Sequence, residues 1–600
     1  MGMKKLLFVA LCLPFLAACS HDDDYEAARN AVIKENVQRV FGTSFSPDHD
    51  WCTTESKSIT ISNIPSGVES VQLLLHIAED DGETSMLTLN EAEVNGQAKV
   101  TLAYDLPKNN IGLYVAFLSD DDFRLVKVNG NDVSYAGARR VTRALTTDYP
   151  IPTTVPVIGE IVESYASQRG WIPGEKLYGM AEADYASQKM VTPDYDDEFK
   201  EVFRALIFSY FKNGRGYNNL PLVKQSGVYN ANAYPFTTGE EPIIVTPVYK
   251  RDGADKYGNE TWNSDLYYYY YPSDANVTVE YLQSLPKYKA IPFKDCFGEK
   301  EDDVIQRKGS YALVYWGDGT PEMGTEGSYT FPEGYKIGFM VRAKTTAEGG
   351  KKQGELYADG RLDNEINTYD KCNFKSSKLG TDDPRAAWLS VNGKMLLTFE
   401  SGTDSDFNDV ILEVEGGIEP IITIPDIDPN VYTFCFEDTQ IGDYDMNDVV
   451  IKASRLSDTR VQYSVVACGA NDRLFIQGIE GRKINSSTEV HQMFGKGIEF
   501  INTEKGSAKV APVTEIVTVD KMFSFLDEAT QPRIYDQKTK QTIRLATRGE
   551  DPHGIMIPYD FKYPLERVCV KNAYERFNEW GKNPIISTDW YKSPVAGNVY

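Results

Sequence analysis

Asp404-Ser405-Asp406-Phe407-Asn408-Asp409-Val410 and Asp443-Tyr444-Asp445-Met446-Asn447-Asp448-Val449 carry one pattern, D-x-D-x-N-D, thirty-nine residues apart. Each copy follows an apolar run that ends in acid: Leu397-Thr398-Phe399-Glu400 before the first, Thr433-Phe434-Cys435-Phe436-Glu437-Asp438 before the second. Oxygen-bearing side chains at every second position of an extended loop converge on one side. Two carboxylates about 5 Å apart repel by roughly 3 kcal/mol at an effective dielectric near 20, and a divalent cation reverses that sign. The chemistry is that of calcium, a hard cation that takes about six to eight oxygen ligands. Asp404, Asp406, Asn408 and Asp409 would hold one ion, and Asp443, Asp445, Asn447 and Asp448 another. Glu400, Glu437 and Asp438 stand close enough in sequence to complete the shells.

An EF-hand loop presents its first ligands in the same alternating way. These loops are not EF-hands. Asp409 and Asp448 occupy the place of the obligatory glycine, and no bidentate Glu follows at the EF-hand distance. A second reading stays open, in which each loop is an acidic turn whose Asp and Asn side chains satisfy backbone donors. Two copies at the same spacing favour the metal.

Other chemistry finds little support. HExxH, GxSxG, Walker A and GxGxxG motifs are absent from the sequence. Of the five histidines, His491 beside Glu489 could act as a base, but a structural hydrogen-bonding role fits it better. The chain has 88 acidic residues, so carboxylate pairs for glycoside hydrolysis are always available, and their abundance decides nothing. Six cysteines, Cys52, Cys296, Cys372, Cys435, Cys468 and Cys569, are scattered without a CxxC pair, which indicates neither zinc nor thioredoxin-like chemistry. The favoured class is therefore a non-enzymatic binding or adhesion protein with calcium-stabilised domains. The alternative is a glycan-processing or glycan-uptake accessory protein.

The elements that must position these loops are mostly strands. At 600 residues the chain exceeds a single core, and about 150 residues per domain gives about four. A formal charge of −26 repels phosphate backbones, so no nucleic-acid partner is expected, and a mean hydropathy of −0.40 excludes a polytopic membrane protein. Lys4 and Lys5 precede an apolar stretch from Leu6 to Ala18, and Leu16-Ala17-Ala18-Cys19 closes it. Those thirteen residues reach only about 20 Å as a helix, short of a bilayer core of about 30 Å, so an export signal is the better reading.

Residues 20–45 read as an acidic tether and helix, with the helix from Asp24 to Phe41 ended by Gly42. Residues 46–140 alternate as strands separated by turns such as Asn95-Gly96, the pattern of a β-sandwich. Residues 141–300 form a linker and a mixed α/β region. Within it Phe199, Val202, Phe203, Leu206, Ile207, Tyr210 and Phe211 make one helical stripe that packs on a core. Tyr267 to Tyr271 reads as a buried strand with satisfied hydroxyls, or as exposed rings that stack on sugars. Residues 301–418 form a β domain with the first acidic loop. Residues 430–600 form another with the second, ending in a helix from Arg567 to Trp580. The fold class is mainly β with a minor helical part, in serial β-sandwich or jelly-roll-like domains.

Several of these segments resemble known families. Leu16-Ala17-Ala18-Cys19 resembles the bacterial lipobox, which implies lipidation of Cys19 and a membrane held through acyl chains. Ser20-His21-Asp22-Asp23-Asp24 resembles the surface-export signal of Bacteroidota lipoproteins, and reads equally as a solvated spacer. Phe434-Cys435-Phe436-Glu437-Asp438, the second acidic loop, Val490 to Gly495, Ile555 to Pro558, Tyr563 to Glu566, Ala573-Tyr574, Trp580 and Trp590-Tyr591 resemble the LruC domain of bacterial lipoproteins, over about residues 431–600. Phe331 to Gly334, Ile337 to Phe339, Phe399-Glu400 and Asp404 to Val410 resemble a second domain with a GDxDFNDVV-type motif, in which Ser401 replaces the usual Asp after the Glu. These resemblances imply an outer-membrane lipoprotein, cell-surface or periplasm-facing, with calcium sites and a glycan or protein ligand, and neither family carries an established catalytic role.

Overall fold

A computed structural model of the protein describes residues 22–79, 82–120, 122–135, 177–178, 187–190, 195–217, 234–250, 263–292, 310–318, 327–345, 352–357, 386–400 and 406–600. The lipobox, Asp404, Ser405, Cys296 and Cys372 lie outside the described residues. Among the described residues no helix is long and apolar enough to cross a membrane.

The N-terminal sandwich forms as its alternation demands. Thr54–Ser62 pairs antiparallel with Lys99–Pro107 and parallel with Asp132–Ser134. The facing sheet runs Thr84–Glu93, Val68–Ala78, Gly112–Ser119, Phe123–Lys127. Ile59, Ile61, Leu73, Leu75, Leu102, Val115 and Phe117 fill the space between. Asn95 and Gly96 both take positive φ (49° and 74°), the twist that a tight hairpin between right-twisted strands requires.

The middle of the chain makes a second sandwich. One sheet runs Ala386–Val391, Lys394–Phe399, Val410–Glu415, Ile244–Lys250, Ser310–Leu313, Ser187–Met190. The other runs Lys352–Tyr357, Tyr335–Thr345, Asn263–Pro272, Lys287–Pro292, Leu177–Tyr178. The five tyrosines lie in Asn263–Pro272 and are buried on both faces. Tyr268 and Tyr270 enter the core between the sheets and donate to Val314 O (2.6 Å) and Gly317 O (3.1 Å). Tyr267, Tyr269 and Tyr271 pack behind them with Tyr234, Leu282 and Met340. No ring of the run is left on the surface.

Helix α2 (Asp197–Tyr210), which follows α1 (Asp22–Phe41) in the chain, joins the two sandwiches. The Asp196 carboxylate accepts the Phe199 N–H (2.7 Å) and starts α2 as an N-cap. Its Phe199, Val202, Phe203, Leu206 and Ile207 stripe packs on Leu74, Tyr114 and Leu125 of the first sandwich and on Val248, Leu389 and Ile411 of the second.

In the C-terminal region a five-stranded sheet runs Val513–Thr518, Arg460–Ala467, Val449–Ser457, Val431–Phe436, Gly554–Pro558, with a small sheet of Leu474–Gln477, Arg533–Asp536 and Thr542–Ile543 beside it. One face buries Tyr432, Phe434, Ile451 and Tyr463 in a core continuous with the N-terminal sandwich. Asp105 of that sandwich is fully buried in the joint, where its carboxylate accepts Ser524 Oγ (2.5 Å) and the Phe525 N–H (3.0 Å) and faces Arg455 (3.6 Å). The opposite face carries Cys435, Val450 and Ile557 against the C-terminal helices and helix α1 (Asp22–Phe41). On α1, Ile33, Val37 and Phe41 recur at four-residue steps and are its buried apolar stripe. The helix therefore docks on the body. The expected helix from Arg567 to Trp580 is divided into Val570–Ala573 and Phe577–Lys582, because Tyr574 turns to an extended conformation (φ −141°, ψ 97°). Val570, Ala573, Tyr574 and Phe577 are nonetheless all buried together.

Candidate metal centre

Each acidic loop connects two antiparallel strands of one sheet. Phe399 pairs with Val410 at the mouth of the first, and Phe436 with Val449 at the mouth of the second. Glu400 and Glu437 are thus the first residues out of a strand, and Asp409 and Asp448 the last before the chain returns. The apolar side chains of the motif point into the protein: Phe407, Tyr444 and Met446 are buried. Phe407 (φ 57°) and its counterpart Met446 (φ 58°) both sit in the left-handed region, unusual for residues with a Cβ. Buried carboxylates hold them there. Glu400 Oε2 accepts the Phe407 N–H (3.1 Å), and Glu437 Oε1 accepts the Met446 N–H (2.7 Å), while Glu437 Oε2 takes Tyr444 N–H (3.0 Å). The structure places the two glutamates inside the loops, as organisers of their backbone.

The polar side chains face the other way and grip a distant segment, identically in both copies. In the first, Asp406 Oδ2 accepts the Gly214 N–H (2.9 Å) and Asn408 Nδ2 donates to Phe211 O (3.0 Å). In the second, Asp445 Oδ2 accepts the Arg567 N–H (2.6 Å) and Asn447 Nδ2 donates to Pro564 O (3.1 Å). Each clamp takes a carbonyl and the amide three residues later. Because each amide nitrogen faces a carbonyl, each amide oxygen must face away. Asn408 Oδ1, Asn447 Oδ1 and Asp445 Oδ1 are buried and have no hydrogen-bond partner. Buried oxygens are ordinarily satisfied, so a matched pair of orphaned asparagine oxygens, with Asp445 Oδ1 beside the second, needs a cause.

Electrostatics point the same way in the second loop. Burial, then the Asp448, Asp445 and Asp443 charges, pushes Glu437 well above the usual carboxylate range. Burial and the Asp443 charge raise Asp445 to about 8, and burial with Asp472 and Asp536 raises Asp438 to about 6. Asp448 is also raised, by burial and then Asp438, although its Oδ2 accepts the Asp438 N–H (2.7 Å). Glu566, outside the motif, is lifted to about 7 by burial and Asp443. Groups held this far above their ordinary range are short of positive charge. Among the described residues no three His, Cys, Asp or Glu side chains converge as a ready metal cage. The unpartnered oxygens of the loops include asparagine amides, which suit a hard, oxygen-preferring cation.

A second constellation looks catalytic but is inert. Cys468 Sγ lies 3.4 Å from His491 Nε2, and His491 Nδ1 lies 2.7 Å from Glu489 Oε1. All three are buried, His491 Nε2 also meets Ala470 O (3.2 Å), and burial pushes the Cys468 thiol up, away from the thiolate a nucleophile needs. Cys52, Cys435, Cys468 and Cys569 are free thiols.

Sequence spacing found both loops but missed their distant partners. Gly214 is separated from Asp406 by 192 residues and Arg567 from Asp445 by 122, so no local pattern could join them. No family model matches the chain, and no curated protein matches it. A solved structure from Bacteroides ovatus, described as a candidate lipoprotein, is similar at a TM-score of 0.22 and 10% identity, covering 44% of this chain and 90% of that one. A likeness this slight carries no argument about what this chain does.

Proposed function

We infer that this chain is an outer-membrane lipoprotein, anchored through Cys19 and displayed at the cell surface, whose β domains are stabilised by calcium and which works by binding or adhesion. The observation that carries the reading is the pair of matched clamps, each leaving a buried asparagine oxygen, Asn408 Oδ1 or Asn447 Oδ1, without a partner. The motif carboxylates and amides would hold the cation. The ion would supply the positive charge that offsets their mutual repulsion and would tie each hairpin to the segment it grips. The resemblance to LruC domains supports this reading through the motif residues. The tyrosine run that best supported carbohydrate stacking is buried, so those rings are not open to sugars.

Calorimetric titration of the chelator-treated protein tests the calcium reading. Two equivalents are expected, one lost in Asp406→Ala and the other in Asp445→Ala. Calcium at a hundredfold excess over its dissociation constant should add about 2.7 kcal/mol of stability. No binding at millimolar calcium, with both variants melting like the parent, would reduce the loops to acidic turns. For the anchor, Cys19→Ala should move the protein to the soluble fraction or leave it unprocessed, because acyl chains are the proposed attachment. Full retention in the outer membrane after cleavage would refute that part.

A further inference from the structure

The second loop grips residues 564–567, and the residue inside that grip is Glu566. Its position can be read from Gly469, whose N–H is bonded to Asn447 O (2.9 Å). A Cβ placed on Gly469 would lie 2.0 Å from Asn447 Oδ1 and 2.9 Å from Glu566 Oε2, so these two oxygens are no more than about 5 Å apart. Oxygens that share one calcium at about 2.3–2.6 Å each are separated by at most about 5 Å as well. Asn447 is fully buried and Asp445 is 3% exposed, and the Oδ1 of each has no partner. Glu566 Oε2 receives only a long contact from Thr503 Oγ1 (3.5 Å), and its Oε1 meets the exposed Arg567 side chain at 3.7 Å. A side chain at 469 would collide with both oxygens, so their close approach to this backbone requires glycine.

We propose that Glu566 is a ligand of the second cation, joining Asp443, Asp445 and Asn447 from outside the motif, and that the two loops consequently differ in affinity. This rests on the calcium reading of the loops. In the first loop the gripped segment runs from Phe211 to Gly214, and the residue in the place of Glu566 is Asn213, which is exposed and uncharged. The second site thus gathers one more negative charge than the first, and ligand charge is a principal control on calcium affinity. The cation also ties the C-terminal segment to the hairpin, so the tighter site is the one that closes the end of the chain onto its sheet.

The test is calorimetric titration of calcium into the purified, chelator-treated full chain, alongside Glu566→Gln and Asn213→Asp. The parent should bind two equivalents of unequal affinity. Glu566→Gln, nearly the same shape, should weaken the tighter one at least tenfold and leave the other unchanged. Asn213→Asp should tighten the weaker one by about tenfold, a gain that does not depend on how Glu566→Gln folds. Two equivalents in the parent with neither variant altered would overturn the assignment of Glu566 while the calcium reading stands. No binding by the parent would overturn both.

Discussion

The first and second acidic loops share a mechanism and differ in charge. Both are hairpin connections organised by a buried glutamate, with a left-handed residue at the fourth motif position and a clamp on a C=O and the amide three residues on. The first grips the end of α2, the helix wedged between two sandwiches, and presents Ser401 and Asn213 where the second has Asp438 and Glu566. The second grips the C-terminal segment and lies beneath α1. Asn36 Nδ2 of that helix donates to Gly442 O (3.0 Å), and Phe41 packs 5.1 Å from the Tyr444 ring. One short motif can therefore tether unrelated segments, and under the proposed calcium reading the charge added by the tethered segment would set how strongly a cation is drawn in. The second loop is thus bonded to the N-terminal helix as well as to the C-terminal segment.

The largest expected effect that sharpens this comparison comes from Glu437→Ala. It would strip acceptors from the buried Tyr444 and Met446 N–H groups, and at about 1–3 kcal/mol for each orphaned donor the loss should be roughly 2–6 kcal/mol in chemical denaturation. Hydrogen exchange should rise around residues 437–448 and 564–567 while residues 406–411 stay protected. A loss below 1 kcal/mol would mean that the glutamate does not organise the loop.

A smaller effect comes from acid. His49 is fully buried, stacks on Trp51 (4.1 Å) and meets the edge of Trp580 (4.4 Å), in the aromatic cluster that covers the second loop. Its Nδ1 accepts the Trp51 N–H (2.9 Å), so the neutral ring is the form that fits. Burial lowers its pKa to about 4, against the pull of Asp50 and with a minor push from Lys108. A depressed histidine stabilises the fold fully above about pH 6.5, and that contribution is lost as the pH falls toward 4. The loss should reach up to about 3 kcal/mol, on the order of 1.4 kcal/mol for each pH unit of displacement. Melting curves from pH 7 to 4 should show it, and His49→Gln should flatten it. An equal slope in the variant would assign the acid sensitivity elsewhere.

Much of this was legible in residue patterns because the causes are local. The period-2 strands of residues 54–134, the α2 stripe, the Asn95-Gly96 turn and the alternating oxygens of both loops each follow from spacing along the chain. What escaped depends on encounters between distant segments. Nothing near Asp445 announces Pro564 or Arg567, and nothing near Asp105 announces Arg455 and Phe525, which weld the N-terminal sandwich to the C-terminal sheet. The α1 stripe of Ile33, Val37 and Phe41 was readable by its four-residue steps, yet its partners Trp51, Phe577 and Trp580 could be known only from the fold. The terminal helix was over-extended because apolar spacing persists through Tyr574 while the backbone does not. The five tyrosines had two readings, and the sheet on each side of them decided for burial.

The most direct test of the central claim, that each clamp leaves an asparagine oxygen for a cation, is anomalous diffraction from crystals of the full chain grown with calcium. Two peaks are expected, one about 2.3–2.6 Å from Asn408 Oδ1 and one at the same distance from Asn447 Oδ1, the second bounded also by Asp445 Oδ1. Water or protein donors on both asparagine oxygens, with no anomalous peak at either loop in calcium-saturated crystals, would contradict it.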